Sequence, residues 1–145
     1  MPPIQHRPEV TPKSMNDRAV GSLIDWMGIT ILSVTAGELT AEMPVTDNHM
    51  APNGFLHAAS VVALADSTCG NATVAHLPEG AKNFTTVELK SNHLSTARDG
   101  TLFCTATAQH AGRTTQVWDA VVTHVETEKT VALFRCTQMI LWPRS

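Results

Sequence analysis

The sequence predicts an α+β domain in which an antiparallel sheet of about six strands wraps around one long buried helix. Three observations carry this reading. Residues 57–76 hold the longest helical pattern in the chain, free of proline and apolar on nearly every side, as an enclosed helix must be. Two runs rich in Val, Thr and Leu precede it and four follow, each bounded by turn residues. At 145 residues the chain can bury roughly two thirds of its unfolded surface, enough for a core without disulfide or metal staples.

The elements follow in order. Residues 1–15, with Pro2, Pro3, Pro8 and Pro12, are expected to be a disordered lead-in to a single domain over residues 16–145. Asn16 or Asp17 caps a short helix over residues 18–27, where Val20, Leu23, Ile24 and Met27 recur at helical spacing and Gly28 stops it. Residues 29–35 and 39–45 read as a hairpin turning at Gly37. A polar, irregular stretch with Pro52 and Asn53-Gly54 leads into the long helix, lined by Val61, Val62, Leu64, Ala65, Cys69, Ala72, Val74 and Ala75. Strands are predicted at 84–94, 100–110, 114–125 and 130–141, separated by turn signals at Arg98-Asp99-Gly100, Ala111-Gly112-Arg113 and residues 126–129. An open sheet of this kind leaves edge strands, which pairing with a second copy would protect.

Composition narrows the function classes. Ten basic and thirteen acidic side chains leave a formal charge of −3, and the basic residues are scattered, so nothing resembles a nucleic-acid footprint. No apolar run is long enough to span a membrane or form a signal core. Cys69, Cys104 and Cys136 are an odd number at wide spacings inside apolar stretches, which reads as reduced core thiols in a cytoplasm. With no CxxC and no HxxxH, no metal site is expected. Only 16% of residues are charged, a surface that favours self-association.

The chemistry concentrates in residues 48–71. Asp66 falls mid-helix, with Val62, Ala63, Cys69 and Gly70 three and four residues away. A carboxylate among apolar and small neighbours is costly to bury unpaired and marks a candidate site. At the helix start, the first-turn N–H groups of Ala58 and Ala59 are free to donate to a carbonyl oxygen that becomes an oxyanion. His57 reads either as a helix cap or as a residue holding substrate or loop. Nine residues of helix separate His57 from Asp66, about 13.5 Å and about half a turn out of phase. If both ends act on one substrate, they come from different subunits.

At these residues the chain resembles the hotdog-fold acyl-CoA thioesterases of the phenylacetate-degradation (PaaI-like) type, near the hydroxybenzoyl-CoA and dihydroxynaphthoyl-CoA thioesterases. The resemblance covers roughly residues 18–141 and rests on the run from Gly54 through His57, Ala58 and Ala59 to Leu64-Ala65-Asp66. It continues in residues 86–94, in 95–100, and in Gly112-Arg113 with Gln116-Val117-Trp118. It implies a dimer, often paired into a tetramer, that hydrolyses a CoA thioester without metal or organic cofactor. By position Asp66 matches the catalytic carboxylate, as nucleophile or general base, and Ala58 the residue whose N–H polarises the thioester carbonyl. His57 matches the histidine beside it, and Thr86 a hydroxyl that positions water.

Two departures from the family pattern are visible. Ala58 and Ala59 stand where the family has glycines, and Ala51 stands where members often place Asn or Gln, with Asn53 or His49 as replacements. Gly54 turns the loop into the site. Lys90, Arg98 and Arg113 are candidates for the CoA phosphates, and His93, Trp118, Phe55 and Met50 for the acyl chamber. Ser67 and Cys69 lack the elbow and the His-Asp partners of a nucleophile. Two other readings are a hotdog enoyl-CoA hydratase, which needs an Asp and a His further apart than Asp47 and His49, and a non-catalytic acyl-CoA-binding module.

Overall fold

The computed structural model describes residues 4–144. Its elements are α1 (Pro12–Ala19), α2 (Leu23–Trp26), β1 (Thr30–Thr35), β2 (Glu38–Pro44), α3 (Ala58–Ala75), β3 (Asn83–His93), β4 (Thr101–Ala111), β5 (Thr115–His124) and β6 (Thr130–Leu141). The six strands form one antiparallel sheet in the order β1-β2-β4-β5-β6-β3, and α3 packs across its concave face.

Strand alternation places the core. Leu39, Ala41 and Met43 of β2 and Leu102, Cys104 and Ala106 of β4 point inward, joined by Trp118, Ala120 and Val122 of β5, all essentially without exposed surface. They meet Val61, Leu64, Ala65, Cys69 and Ala72 of α3. The small residues on the helix let it sit close to the sheet. Its buried Thr68 and Thr73 hydroxyls donate back to the carbonyls of Leu64 and Cys69, so the core holds no stranded hydroxyl there. Trp118, a candidate for the acyl chamber, belongs instead to this core, its Nε1 donating to Gln116 Oε1 at 2.9 Å.

The N-terminal region departs from expectation. Residues 4–15 are ordered chain rather than a disordered lead-in; Met1, Pro2 and Pro3 lie outside the described residues. Thr11 caps α1, and Pro12 occupies the first helical turn, where a missing N–H costs nothing. Arg7 ties the segment down, donating to the carbonyls of Leu77, Pro78 and Ala81 just past the end of α3. The single helix expected over residues 18–27 is two, broken at residues 20–22, where Gly21 adopts φ 79°. Asn16 is no cap: its side chain clasps the backbone of Ile31, accepting from N–H at 2.8 Å and donating to C=O at 2.9 Å.

That clasp separates the two sheet edges. At β1 the outward peptide groups of Ile31 are satisfied by Asn16, as a neighbouring strand would satisfy them. At β3 nine of eleven residues are exposed, including Val87 and Leu89, and none of the described residues covers the edge.

Candidate active site

The loop before α3 is held shut by its own backbone. The Ala51 N–H donates to the Phe55 carbonyl, Gly54 N–H to the Ala51 carbonyl, and Met50 bridges Leu56, with Gly54 at φ 81° closing the turn. Asn53 Oδ1 accepts from the Phe55 N–H, a local turn that commits this oxygen to the loop. His49, considered as a replacement for the missing loop amide, is buried. Its Nδ1 accepts from the Thr46 N–H, and its carbonyl takes both the His57 N–H and the Ser60 hydroxyl. It anchors the helix start from below.

His57 caps α3, its Nδ1 accepting the Ala59 N–H at 2.9 Å. The expectation that both first-turn amides are free is thereby narrowed: the Ala59 N–H is spent on the cap. Among the described residues the Ala58 N–H meets no acceptor, and His57, Ala58 and Ala59 are all exposed. One free donor at the positive end of an eighteen-residue helix is a ready site for a developing oxyanion.

Along α3 the partly exposed positions recur about every four residues: Val62 and Ala63, Asp66 and Ser67, Gly70 and Asn71, then Val74. From Asp66 to Val74 this stripe lines a cavity of about 350 Å³ whose other walls are Met15, Arg18, Ala19, Ser22 and Ile24 from the N-terminal region and Phe84 and Thr86 from β3. Asp66 lies on this wall with Oδ1 buried and, among the described residues, without a hydrogen-bond partner. Burial raises its pKa above the usual carboxylate value. Thr86 lines the same cavity as Asp66.

The remaining candidates scatter. Arg98 stacks on the Phe55 ring at 4.9 Å, beside the loop that delivers the helix start. Arg113 stacks on Trp142 and lines a larger open cleft of about 680 Å³ at the opposite end of α3, remote from Asp66. Lys90 lies on the convex face of the sheet with Asp119 and Arg135, while His93 ends β3, paired with Ala132. Met50 packs against the core. Cys69, Cys104 and Cys136 are free and buried, and burial pushes the Cys104 thiol up to about 12, far from a nucleophile's range.

Side-chain spacing gives no hint of the walls from α1 and α2. The one local signal of a close approach at this cavity is Gly70, a helix-interior glycine four residues after Asp66. A Cβ there would lie 3.2 Å from Phe84 Cζ, so a larger residue would push the ring back by a few tenths of an ångström.

Residues 53–131 match the thioesterase superfamily. The chain belongs to that family. This thioesterase is 34% identical over 115 residues to the 1,4-dihydroxy-2-naphthoyl-CoA hydrolase of Listeria monocytogenes, covering 79% of this chain and 92% of that protein. Its fold superposes on a mutant of the thioesterase PA1618 from Pseudomonas aeruginosa with a TM-score of 0.88 at 30% identity, covering 94% and 98% of the two chains. The thioesterase HI1161 of Haemophilus influenzae gives a TM-score of 0.87 at 28% identity, covering 95% and 94%. The hotdog architecture is thus that of the thioesterase, and its chemistry is thioester hydrolysis.

Proposed function

We propose that this thioesterase hydrolyses an acyl-CoA to the free acid and CoA at a site shared between two subunits. The observation that carries the reading is Asp66, a partly buried carboxylate on the wall of a cavity, whose Oδ1 is buried and, among the described residues, without a hydrogen-bond partner. The thioester carbonyl oxygen lies on the Ala58 N–H of one subunit, and its carbon is attacked under the control of Asp66 from the other. The sharing follows from geometry. Eight residues of helix put Ala58 about 12 Å from Asp66 along their own axis, beyond the reach of one carbonyl group.

As a general base, Asp66 takes a proton from water positioned by Thr86, the water oxygen bonds to the carbonyl carbon, and the C–S bond breaks. The thiolate leaves with the proton that Asp66 held. As a nucleophile, the carboxylate forms a mixed anhydride that water then opens. Where water opens the anhydride at the Asp66 carbon, single turnover in ¹⁸O water separates the two, since Asp66 takes up the label and the released acid keeps an oxygen from the enzyme. Neither route calls for a metal or organic cofactor. Arg98, next to the loop, is the best placed of the basic residues for the CoA phosphates, and Phe55 beneath it offers a face for stacking. The open β3 edge supports pairing of two copies, and the convex face around Lys90 supports a dimer of dimers. Three buried free thiols fit a reducing, cytoplasmic setting.

Thiol release from a panel of acyl-CoAs tests the reaction, and two variants test the site. Asp66→Ala should lower kcat by about 10² to 10⁴. Ala58→Pro removes only the proposed oxyanion donor: proline suits the first helical position, and His57 already has the extended backbone (φ −67°, ψ 133°) that a following proline requires. It should fold normally and lose about 10² to 10³ in kcat. Mixing the two inactive variants should restore roughly a quarter of wild-type activity, because half of randomly paired dimers hold one intact site. No recovery on mixing would place both groups in one subunit and overturn the shared site.

A further inference from the structure

Beyond Asp66, the cavity holds one other charged group, Arg18 in the last turn of α1. Half of its lining is apolar or glycine, namely Met15, Ala19, Ile24, Gly70, Val74 and Phe84, and the uncharged polar residues are Ser22, Ser67, Asn71 and Thr86. The carboxylates near Arg18 in sequence are committed elsewhere. Asp17 takes the ammonium of Lys13 at 2.5 Å, and Asp25 Oδ2 accepts the Gly21 N–H at 2.9 Å. No ion pair or hydrogen bond engages the Arg18 guanidinium among the described residues. Nor does Arg18 pair with Asp66, since no ion pair joins the two among the described residues. The thioesterase therefore has a partly apolar chamber with the Asp66 carboxylate on one wall and an uncommitted, planar, five-donor cation on another.

We propose that Arg18 is a specificity-determining residue that selects acyl groups ending in a carboxylate. This rests on the acyl-CoA hydrolase reading above and deepens it by naming the substrate class. With the thioester carbonyl at Asp66, the acyl group runs between α3 and the N-terminal helices, and its far end meets the guanidinium. A carboxylate there would gain a charge-assisted, bidentate pair that a neutral end cannot make. Asp66 works against this class unless a cation separates the two negative charges, and Arg18 supplies one.

The test compares acyl-CoAs matched in length that differ only in their end group: adipoyl-CoA against hexanoyl-CoA, and 4-carboxybenzoyl-CoA against benzoyl-CoA. In the wild-type protein, kcat/KM should favour the acidic member of at least one pair by roughly tenfold or more. In Arg18→Gln that ratio should collapse toward one, and Arg18→Lys should keep part of it. Arg18→Glu should reverse the preference. Since residue 18 is exposed, thermal unfolding should confirm that these variants fold as the wild type does. Hydrolysis of all four thioesters with the same ratios in wild type and Arg18→Gln overturns the role of Arg18 alone. Absence of thiol release from all four, and from the wider panel, overturns the hydrolase reading beneath it.

Discussion

Asp66 and Ala58 show how a single atom's surroundings decide its use. Asp66 has an oxygen left bare inside the protein, and burial holds its pKa up, so ionising it costs folding free energy. The sign follows. The folded state binds this proton more tightly than the unfolded state, so the associated stability is present below the ordinary carboxylate pKa and lost as pH rises through the raised folded value. Asp66→Asn should therefore melt higher than the wild type near neutral pH, with the gap closing toward about pH 4. Melting curves across pH check it; a gap that widens on acidification would show a carboxylate stabilised by folding. The same residue is legible in the sequence because a lone acid in a small-residue helix has no bland local explanation. Which of the two candidate amides stays free is not legible, since it depends on the rotamer of the His57 ring.

At the scale of elements, the helices and strands are readable wherever one local pattern dominates. The hairpin at Gly37, the long helix and the last four strands fall within a residue or two of their predicted places because alternation and turn residues are local signals. The N-terminal helix differs from its prediction because Gly21 interrupts a good apolar spacing, and Asn16, a good cap by type, serves a strand edge. The ordered segment before α1 owes its place to Arg7, whose guanidinium and backbone N–H together meet four carbonyls at the end of α3. Hydrogen bonds from a charged donor are worth about 1.5–3 kcal/mol each at most and are not additive. Arg7→Ala should lower unfolding free energy by about 2 kcal/mol in denaturant titrations. A change below about 0.5 kcal/mol, typical of a surface substitution, would mean that the segment is held by other contacts.

For the whole molecule, the asymmetry of the sheet edges matters most. One edge is held at Ile31 by Asn16, and the other is an eleven-residue strand with Val87 and Leu89 exposed. Pairing through β3 would protect that edge and bring a second α3 alongside the first, which the shared site requires. The double variant Val87→Asp, Leu89→Asp should sediment as a monomer, keep its secondary structure by circular dichroism, and lose about 10² or more of its hydrolytic rate. A folded monomer with full activity would remove the partner from the mechanism. The cavity beside Asp66 is likewise a property of the whole: its walls come from α1, α2, α3 and β3, segments as far apart in sequence as Met15 and Thr86.

By itself the sequence determined the order and kind of the main elements, the central helix, the acid within it and two candidate amides at its start. These are written in local terms: a side-chain period, a turn residue, a cap, an anomalous charge. Tertiary structure alone decided that His49 is an anchor and Trp118 is core, that Arg7 and Asn16 fasten distant backbone, and that Arg18 faces the chamber of Asp66. Those outcomes depend on which surfaces meet after the chain closes on itself, and no local period encodes contacts between segments so far apart.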